Sequence, residues 1–462
     1  MSAKNGPRVY TGNHVLLPGS QVPQPATVLI STKSGKIIDV REGRADCADI
    51  VGDDEDRWVD LGDKYLLPGL VDAHVHLNEP GRTDWEGFWT GTRAAASGGI
   101  TTVVDMPLNS IPPTTTIGNL AAKRSAAHAQ CWTDVAFWGG VIPGNQDELG
   151  PLVDAGVKGF KCFMIESGVD EFPCVSKSDL RPAMSTLKNS GSVLLFHAEV
   201  DDHPSPIGDS EVPTLYSTFL KSRPERFEVD AISRIVRLQE EYPTLRCHIV
   251  HLSAAHALPI IRSAKAAGHK LTVETCFHYL CLASDSIPDA RPEFKCCPPI
   301  RDAPNREALW AALLDGTIDC VVSDHSPCVA ELKGLDGGDI MGAWGGISTL
   351  GIGLSLLWTE GRKRGVPIGT MVGWVSENTA NHAGLGDRKG KIAVGYDADL
   401  VIWDPDMRYT VTKETLQFKN KLTPYEGMVL SGRVDQTILR GSPIYNGISD
   451  TFFESEPSGV LL

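Results

Sequence analysis

The sequence lacks the segments that would place a protein in or across a membrane. No apolar run in it approaches the roughly 20 residues that a membrane-spanning helix needs. The N-terminal stretch Met1 to Pro7 is polar and has no apolar signal-peptide core, and residues 459–462 do not match a Ser-Lys-Leu peroxisomal address. These absences predict a soluble, cytoplasmic protein that has no membrane partner.

Basic residues and paired cysteines are also few. The chain of 462 residues has 43 Lys and Arg against 58 Asp and Glu, which gives a net charge of −15. An acidic surface disfavours binding to nucleic acid and to anionic membranes. The cysteines number 11, none forms a Cys-x-x-Cys pair, and only Cys296 and Cys297 are adjacent. Reduced thiols in a cytosolic protein are the simplest interpretation.

Both ends of the chain carry short β-rich runs with a period-2 apolar pattern. The runs are Ala26–Ser31, Gly35–Val40, Trp58–Leu61, Ile392–Trp403 and Val434–Leu439. The pattern predicts strands at both ends rather than free tails. We therefore expect one small β-sandwich domain formed from both termini, residues 1–67 and 391–462, around a central unit.

The central residues, 68–390, alternate apolar β-rich runs with helical stretches. Eight runs are typical of strands: Gly69–His76, Thr101–Met106, Val135–Val141, Gly159–Met164, Val193–His197, Cys247–His251, Leu271–Glu274 and Cys320–Ser323. Between them, Asp230–Glu241 and Arg306–Leu314 have apolar residues at helical spacing. This alternation predicts an α/β fold, a (β/α)8 TIM barrel. The alternative is an open doubly wound sheet, but no Gly-x-Gly-x-x-Gly follows the first strand.

The first predicted barrel strand ends in two histidines. His74 and His76 close the run Asp72-Ala73-His74-Val75-His76. Residues two apart in an extended strand point the same way, so both imidazoles face one site. A His-x-His pair is equally compatible with packed core histidines. The position favours metal binding, because reactive side chains of barrels gather at the C-terminal ends of the strands.

Three further strand ends supply His197, His251 and Asp324. Each closes an apolar run in which a titratable group is costly to bury. Imidazole and carboxylate together suit zinc or a similar divalent ion. Any one of these residues could be structural, but the convergence of four strand ends predicts a metal centre. His248 and His325 are predicted to point away from it and to pack against neighbouring elements.

Lys161 lies in an otherwise apolar strand, after Gly159 and Phe160. A buried lysine must find a partner or give up its charge. The residues leave two interpretations open. Reaction with carbon dioxide would give an anionic carbamate whose two oxygens could bridge two cations. An ion pair with a carboxylate at the end of the barrel is the simpler interpretation.

The predicted site resembles that of the cyclic-amidohydrolase branch of the amidohydrolase superfamily, which includes dihydroorotases, hydantoinases or dihydropyrimidinases, and allantoinases. The matching residues are His74, His76, Lys161, His197, His251 and Asp324. The resemblance implies two divalent ions, with zinc as the family's usual metal, bridged by a carbamate on Lys161. By the same resemblance, the first two histidines and Asp324 would hold one ion and the other two histidines the second. Manganese, cobalt and iron also suit such ligands.

Within this branch, five segments are similar to the allantoinase family in particular. They are the segments Val75–Gly87, Glu274–Tyr279, Pro298–Asp302, Ser323–Cys328 and Ala343–Ile347. Asn78 occupies the position where dihydroorotases carry an arginine for the substrate carboxylate, and an amide suits a neutral ring better. Glu166 occupies the position of the hydantoinase tyrosine that donates to the oxyanion, so that donor is missing. Cys297 aligns with a position whose backbone contacts the ring. Asn78 and Cys297 are therefore the predicted substrate contacts.

The resemblance implies hydrolysis of the cyclic amide of allantoin to allantoate in purine catabolism, with Asp324 as both metal ligand and proton acceptor. Dihydroorotase and hydantoinase activities are the nearer alternatives. A non-catalytic scaffold homologue is the remoter one, since such relatives usually lose metal ligands and all six positions are filled here. Relatives are commonly homotetramers. The loop Ala330–Ile340, beside the metal end, is either a mobile lid or a plain solvent loop.

Overall fold

The computed structural model describes residues 6–51, 55–202, 211–453 and 456–462. The predicted absence of a signal peptide concerns Met1 to Pro7, of which residues 1–5 lie outside these ranges. The strands are β1 (Arg8–Val15), β2 (Gln24–Ser31), β3 (Lys36–Glu42), β4 (Trp58–Asp60), β5 (Tyr65–Pro68), β6 (Leu70–Val75), β7 (Ile100–Asp105), β8 (Asp134–Phe137), β9 (Gly139–Gly140), β10 (Phe160–Phe163), β11 (Val193–His197), β12 (Arg246–Ile249), β13 (Leu271–Cys276), β14 (Cys320–Val322), β15 (Leu400–Thr410), β16 (Val429–Leu439), β17 (Ser442–Asn446) and β18 (Thr451–Phe452).

The helices connect these strands and cover the barrel. They are α1 (Cys47–Ile50), α2 (Phe88–Ser97), α3 (Ile117–Ala127), α4 (Gln146–Asp154), α5 (Lys177–Leu187), α6 (Tyr216–Ser222), α7 (Arg226–Glu241), α8 (Leu258–Ala266), α9 (Phe277–Cys281), α10 (Ala303–Leu314), α11 (Ala330–Lys333), α12 (Gly353–Lys363), α13 (Ile368–Val375) and α14 (Glu377–His382). Short 3-10 turns span Glu55–Arg57, Ala255–Ala257, Ser284–Ser286 and Pro292–Phe294. In the described ranges, no helix is both long and apolar enough to cross a membrane.

Strands β6 to β14 form a closed parallel barrel. Two parallel sheets, β6-β7-β8 and β9-β10-β11-β12-β13-β14, meet where β8 and β9 follow each other at Trp138 and together supply the third barrel strand. The ring closes beside β14, where His76 N donates to His325 O at 2.8 Å and Val75 pairs in parallel with His325. The predicted (β/α)8 barrel is therefore confirmed.

The barrel elements follow from local sequence. Every residue of β6 and β7 is buried, as expected for parallel strands that are covered on both faces. The two predicted helices are confirmed as α7 and α10, and each begins a few residues earlier than its apolar pattern. Helix α10 begins early because the Asp302 side chain caps it, accepting from Asn305 N at 2.9 Å.

Both termini contribute to one mixed nine-stranded sheet. Its order is β18-β17-β16-β15-β5-β1-β2-β3, with β4 beside β1, and β5 pairs antiparallel with β15. Its side chains form a core separate from the barrel, which includes Tyr10, Val28 and Leu400. The predicted β-domain from both termini is thus confirmed. The predicted run Ile392–Trp403 is wrong in its first half, because a turn at Gly395 (φ 89°) precedes β15.

A buried ion cluster ties the segment before β15 to the barrel. The Lys389 ammonium donates to Asp134 of β8 at 2.6 Å and to Asp399 at 2.7 Å, and lies 3.0 Å from Asp397. Burial alone would lower the pKa of Lys389, but these carboxylates raise it. The ion therefore stays charged and neutralises several buried acids.

Replacing Lys389 with Met should lower the free energy of unfolding by about 3–5 kcal/mol, because the buried Asp399 then loses its ion-pair partner. Asp134 and Asp397 keep their ion pairs with Arg440, Lys36 and Arg388. Thermal unfolding followed by circular dichroism measures the effect. Arg181→Ala is the control, since it breaks an ion pair with Glu241 that is exposed on both sides and should change little. Equal effects of the two variants would show that the cluster does not stabilise the junction.

Candidate metal centre

The C-terminal ends of the barrel strands surround a cavity of about 460 Å³. All six sequence-predicted ligand residues line it: His74, His76, Lys161, His197, His251 and Asp324. They come from β6, β10, β11 and the residues that directly follow β6, β12 and β14. The barrel therefore brings together side chains that lie up to 250 positions apart in sequence.

Three of these residues form one group of potential ligands. Asp324 Oδ1 lies 3.2 Å from His74 Nε2 and 3.6 Å from His76 Nε2. His74 Nε2 is buried and makes no hydrogen bond. Ligand atoms on a tetrahedral zinc ion lie about 3.3 Å apart, given zinc–nitrogen bonds of about 2.0–2.1 Å. The spacing and the unpartnered nitrogen fit one divalent ion.

His197 and His251 form a second, adjacent pair. His197 Nδ1 lies 3.1 Å from His251 Nε2, and the two rings meet edge to face. Burial lowers the pKa of His197 to about 4 and the pKa of His251 well below its usual value. Both rings are therefore neutral near pH 7 and have lone pairs available for a metal ion.

Lys161 lines the same cavity as these two groups. The ion pair that was the simpler interpretation of its sequence position is not found in the described chain. Its side chain is buried, and among the described residues no carboxylate pairs with its ammonium group, which lies 5.1 Å from the centre of the Phe163 ring. Burial lowers the pKa of Lys161 to about 8. An appreciable fraction of its amine is therefore neutral in mildly alkaline solution.

His251 and Asp324 do not follow the strand alternation. Their φ angles are 40° and 43°, in the left-handed region that non-glycine residues rarely adopt. Strands β12 and β14 have already ended at Ile249 and Val322. This conformation turns both side chains into the cavity, and strain of this kind is common at functional sites.

The same departure explains why the predicted direction of His248 is wrong, although its predicted contact with a helix is confirmed. His248 Nε2 lies 3.1 Å from Glu274 Oε2, and the other oxygen of Glu274 lies 2.5 Å from His74 Nδ1. His248 therefore faces the barrel interior beneath the metal groups, where its ring also stacks on His382 of α14 with the ring centroids 3.7 Å apart. By contrast, His325 contacts Glu86 at 3.2 Å and faces away from the cavity, as expected.

Two buried glutamates that the sequence interpretation missed hold the histidines. Glu274 accepts from His74 Nδ1, and Glu199 Oε2 lies 2.7 Å from His197 Nε2. Such contacts fix the tautomer, so that His74 presents Nε2 and His197 presents Nδ1 to the cavity. An acidic residue in an apolar strand was the available signal for Glu274.

The predicted substrate contacts have different surroundings. Cys297 lines the cavity, as does Glu166. Asn78 is buried, and its amide donates to Pro327 O at 3.4 Å. Among the described residues, the asparagine that lines the cavity is Asn109. A direct contact of Asn78 with the substrate therefore stays a prediction.

The loop at Ala330–Ile340 begins with α11 and is fastened at Lys333. The buried Lys333 ammonium donates to Trp344 O at 2.8 Å, to Gly346 O at 2.6 Å and to Lys295 O at 3.3 Å. Leu332 and the residues that follow the loop, 341–346, line the cavity. The loop thus supports one wall of the site.

Comparison with known proteins agrees with this architecture. The sequence model of the amidohydrolase family matches residues 65–444. Allantoinase from Saccharomyces cerevisiae is 48% identical over 96% of this chain and 96% of its own length, and allantoinase from Streptomyces avermitilis is 51% identical over 88% and 89%. The structure of L-hydantoinase (dihydropyrimidinase) from Arthrobacter aurescens superimposes with a TM-score of 0.88 at 28% identity, covering 97% of this chain and 98% of its own. The chain therefore belongs to the amidohydrolase family and, within it, to the allantoinases.

Proposed function

We propose that this protein hydrolyses the cyclic amide of allantoin and releases allantoate. The observation that carries the proposal is one cavity on which four histidines, Asp324 and the buried Lys161 converge, in a chain with extensive identity to allantoinases. These groups suit metal-assisted hydrolysis of an unreactive amide. The small cavity suits a single heterocycle better than a polymer.

We assign two divalent ions, zinc being the proposed metal, to this site. His74, His76 and Asp324 would hold one ion, and His197 and His251 the other. The unpartnered His74 Nε2 and the neutral pair His197 and His251 support the assignment. When bound, such ions acidify a water molecule and polarise the carbonyl group of the substrate.

Lys161 is the proposed bridge between the two ions, as a carbamate. Its neutral amine would add to carbon dioxide, forming a nitrogen–carbon bond and releasing one proton, and the product carries one negative charge on two oxygens. Burial between the two groups of histidines, without a carboxylate partner in the described chain, supports this modification. The carbamate would supply the oxygens that the histidines lack.

Asp324 is the proposed proton carrier. Burial alone would raise the pKa of Asp324, but His74 and His76 lower it, so the carboxylate is ionised near pH 7. It can accept the proton of the attacking water and deliver it to the ring nitrogen as the carbon–nitrogen bond breaks. Ring opening then yields the carboxylate of allantoate.

The polypeptide backbone near Cys297 is the proposed contact for the hydantoin ring. Cys297 lines the cavity, and burial raises the pKa of its thiol, so the thiol is not a ready nucleophile. Asn78 holds the carbonyl of Pro327, which follows Asp324 by three residues. We propose that Asn78 acts mainly through that loop.

Allantoin should be hydrolysed at least tenfold faster than dihydroorotate or hydantoin, and a chelator should abolish the activity. The reason is that Asn78 stands where dihydroorotases carry the arginine for the substrate carboxylate, and Glu166 stands where hydantoinases carry the tyrosine donor. Parallel assays of the three substrates with metal-replete protein, with and without chelator, measure this. A faster reaction with another ring would transfer the assignment to that activity.

The same assay tests the scaffold alternative. Elemental mass spectrometry measures the number of metal ions per chain. A protein that binds two ions but opens none of the three rings would be a non-catalytic relative. The filled ligand positions argue against this outcome.

We also propose a reducing compartment, the cytoplasm, and a homotetramer. All eleven cysteines are unpaired, which suits reducing conditions. Light scattering after size-exclusion chromatography measures the mass of the assembly, and a monomer would contradict the second proposal.

A further inference from the structure

The cavity is lined by an arginine, Arg223, whose guanidinium group uses only some of its N–H donors in hydrogen bonds to the protein. Two other donors that line the cavity already have partners in the protein. Lys295 Nζ donates to Met341 O at 2.6 Å, and Asn109 Nδ2 lies 3.4 Å from His76 Nδ1. Arg223 also lines the cavity, and its Nη1 donates to Glu199 Oε2 at 2.5 Å. Its guanidinium makes no other hydrogen bond to the described part of the chain. Arg223 therefore keeps N–H groups for a ligand.

The contacts of His197 show where Arg223 lies relative to the metal groups. His197 directs Nδ1 at His251 and Nε2 at Glu199, so its two nitrogens face opposite ways. Arg223 contacts Glu199 and thus lies on the side of His197 away from the metal-binding nitrogen. Arg223 thus lines the same cavity as the metal groups, but its ion pair is with Glu199 and not with a proposed metal ligand. Arg223 is placed to meet a substituent of the ring under attack.

Arg223 is also held rigidly. Its backbone carbonyl accepts from Arg301 Nη1 at 2.7 Å, and Arg301 Nη2 lies 3.4 Å from Glu228. Arg223 Nη1 donates to Glu199 Oε2 at 2.5 Å, and the same oxygen lies 2.7 Å from His197 Nε2. The guanidinium is therefore oriented before a ligand enters.

We infer that Arg223 determines specificity by donating hydrogen bonds to the carbonyl oxygen of the exocyclic ureido group of the substrate. This inference rests on the proposed function. Allantoin differs from hydantoin by that group, and a guanidinium presents N–H donors in a fixed plane. A site that places a donor for a substituent discriminates strongly against an analogue without it, because the donor then loses its partner.

Arg223→Gln should lower kcat/KM for allantoin about 10- to 100-fold, as expected for the loss of a hydrogen bond from a charged donor. The decrease for hydantoin should be at least tenfold smaller, so the preference for allantoin falls. Arg223→Lys retains the charge but not the planar donor and should recover only part of the preference.

Glu199→Gln is the comparison that separates specificity from positioning. Because Glu199 orients His197, this variant should lower hydrolysis of both rings by similar factors and should weaken metal binding, measured as metal ions per chain. If Arg223→Gln also lowers both activities equally, Arg223 acts through Glu199 and the inference is overturned.

Binding constants from calorimetry make the comparison independent of turnover. A wild-type protein that opens no ring would refute the proposed function. The inference about Arg223 would still be decided by the ratio of the allantoin and hydantoin binding constants. A ratio that Arg223→Gln leaves unchanged would overturn it, whereas a ratio that falls tenfold would support it.

Discussion

Asp324→Asn should reduce kcat for allantoin by about 10⁴-fold or more, because one substitution removes both the proton acceptor and a charged metal ligand. Asparagine has nearly the same shape, so the fold should persist. The measurements are steady-state kinetics, the metal content per chain and circular dichroism. The expected protein is folded, depleted in one metal ion and inactive.

Glu166→Gln is the matched control for Asp324→Asn. Glu166 is another carboxylate that lines the cavity, but it contacts Cys174 instead of the metal groups, with its oxygen 3.2 Å from the thiol. Its loss should change kcat by only a few-fold. Retention of activity in folded, metal-loaded Asp324→Asn would remove Asp324 from the proposed proton transfer.

Lys161→Ala should lose most of its bound metal and at least about 10³-fold in kcat, because the two ions lose their shared ligand. Small carboxylic acids such as acetate or propionate fit the space left by the side chain and supply two oxygens. Adding them together with metal should restore part of the activity. Metal content and turnover, each measured with and without added acid, provide the two readouts.

Lys333→Met is the control, because Lys333 is a second buried lysine and supports one wall of the cavity. Lys333 donates to backbone carbonyls of the wall and contacts none of the six proposed ligands. This variant should loosen the wall and raise KM, keep its two metal ions and show no rescue by acetate. If Lys161→Ala keeps both ions, or if acetate restores none of its activity, the carbamate proposal is wrong.

Strand ends were the most informative feature of the sequence. An apolar run that closes on histidine or aspartate is visible without a structure, because water-free surroundings make such residues costly and therefore conspicuous. His74, His197 and Asp324 were found in this way, and the structure places them at one cavity. Their partners Glu199 and Arg223 gave weaker signals, since one follows a strand and the other lies between two helices.

Errors arose where the backbone leaves regular geometry. His248 was predicted to face outward because alternation was extended to His251, whose φ of 40° breaks it. The run Ile392–Trp403 was predicted to be β-rich because its apolar residues alternate, yet a turn at Gly395 occupies its first half and the strand begins at Leu400. An alternating apolar pattern predicts a regular strand. The contacts that make the backbone leave regular strand geometry involve residues elsewhere in the chain.

By itself, the sequence determined the barrel, the terminal β-domain and the residue types of the candidate metal centre, because hydrophobic periodicity and the burial cost of polar groups are local properties. Tertiary structure decided which groups touch. The pairing of Glu274 with His74 joins residues 200 positions apart, and the contact of Arg223 with Glu199 depends on how the segment after α6 packs against β11. Those contacts determine the tautomer of His74 and the N–H donors that Arg223 has left for a ligand. They depend on distances between residues far apart in the chain, which a local sequence pattern does not contain.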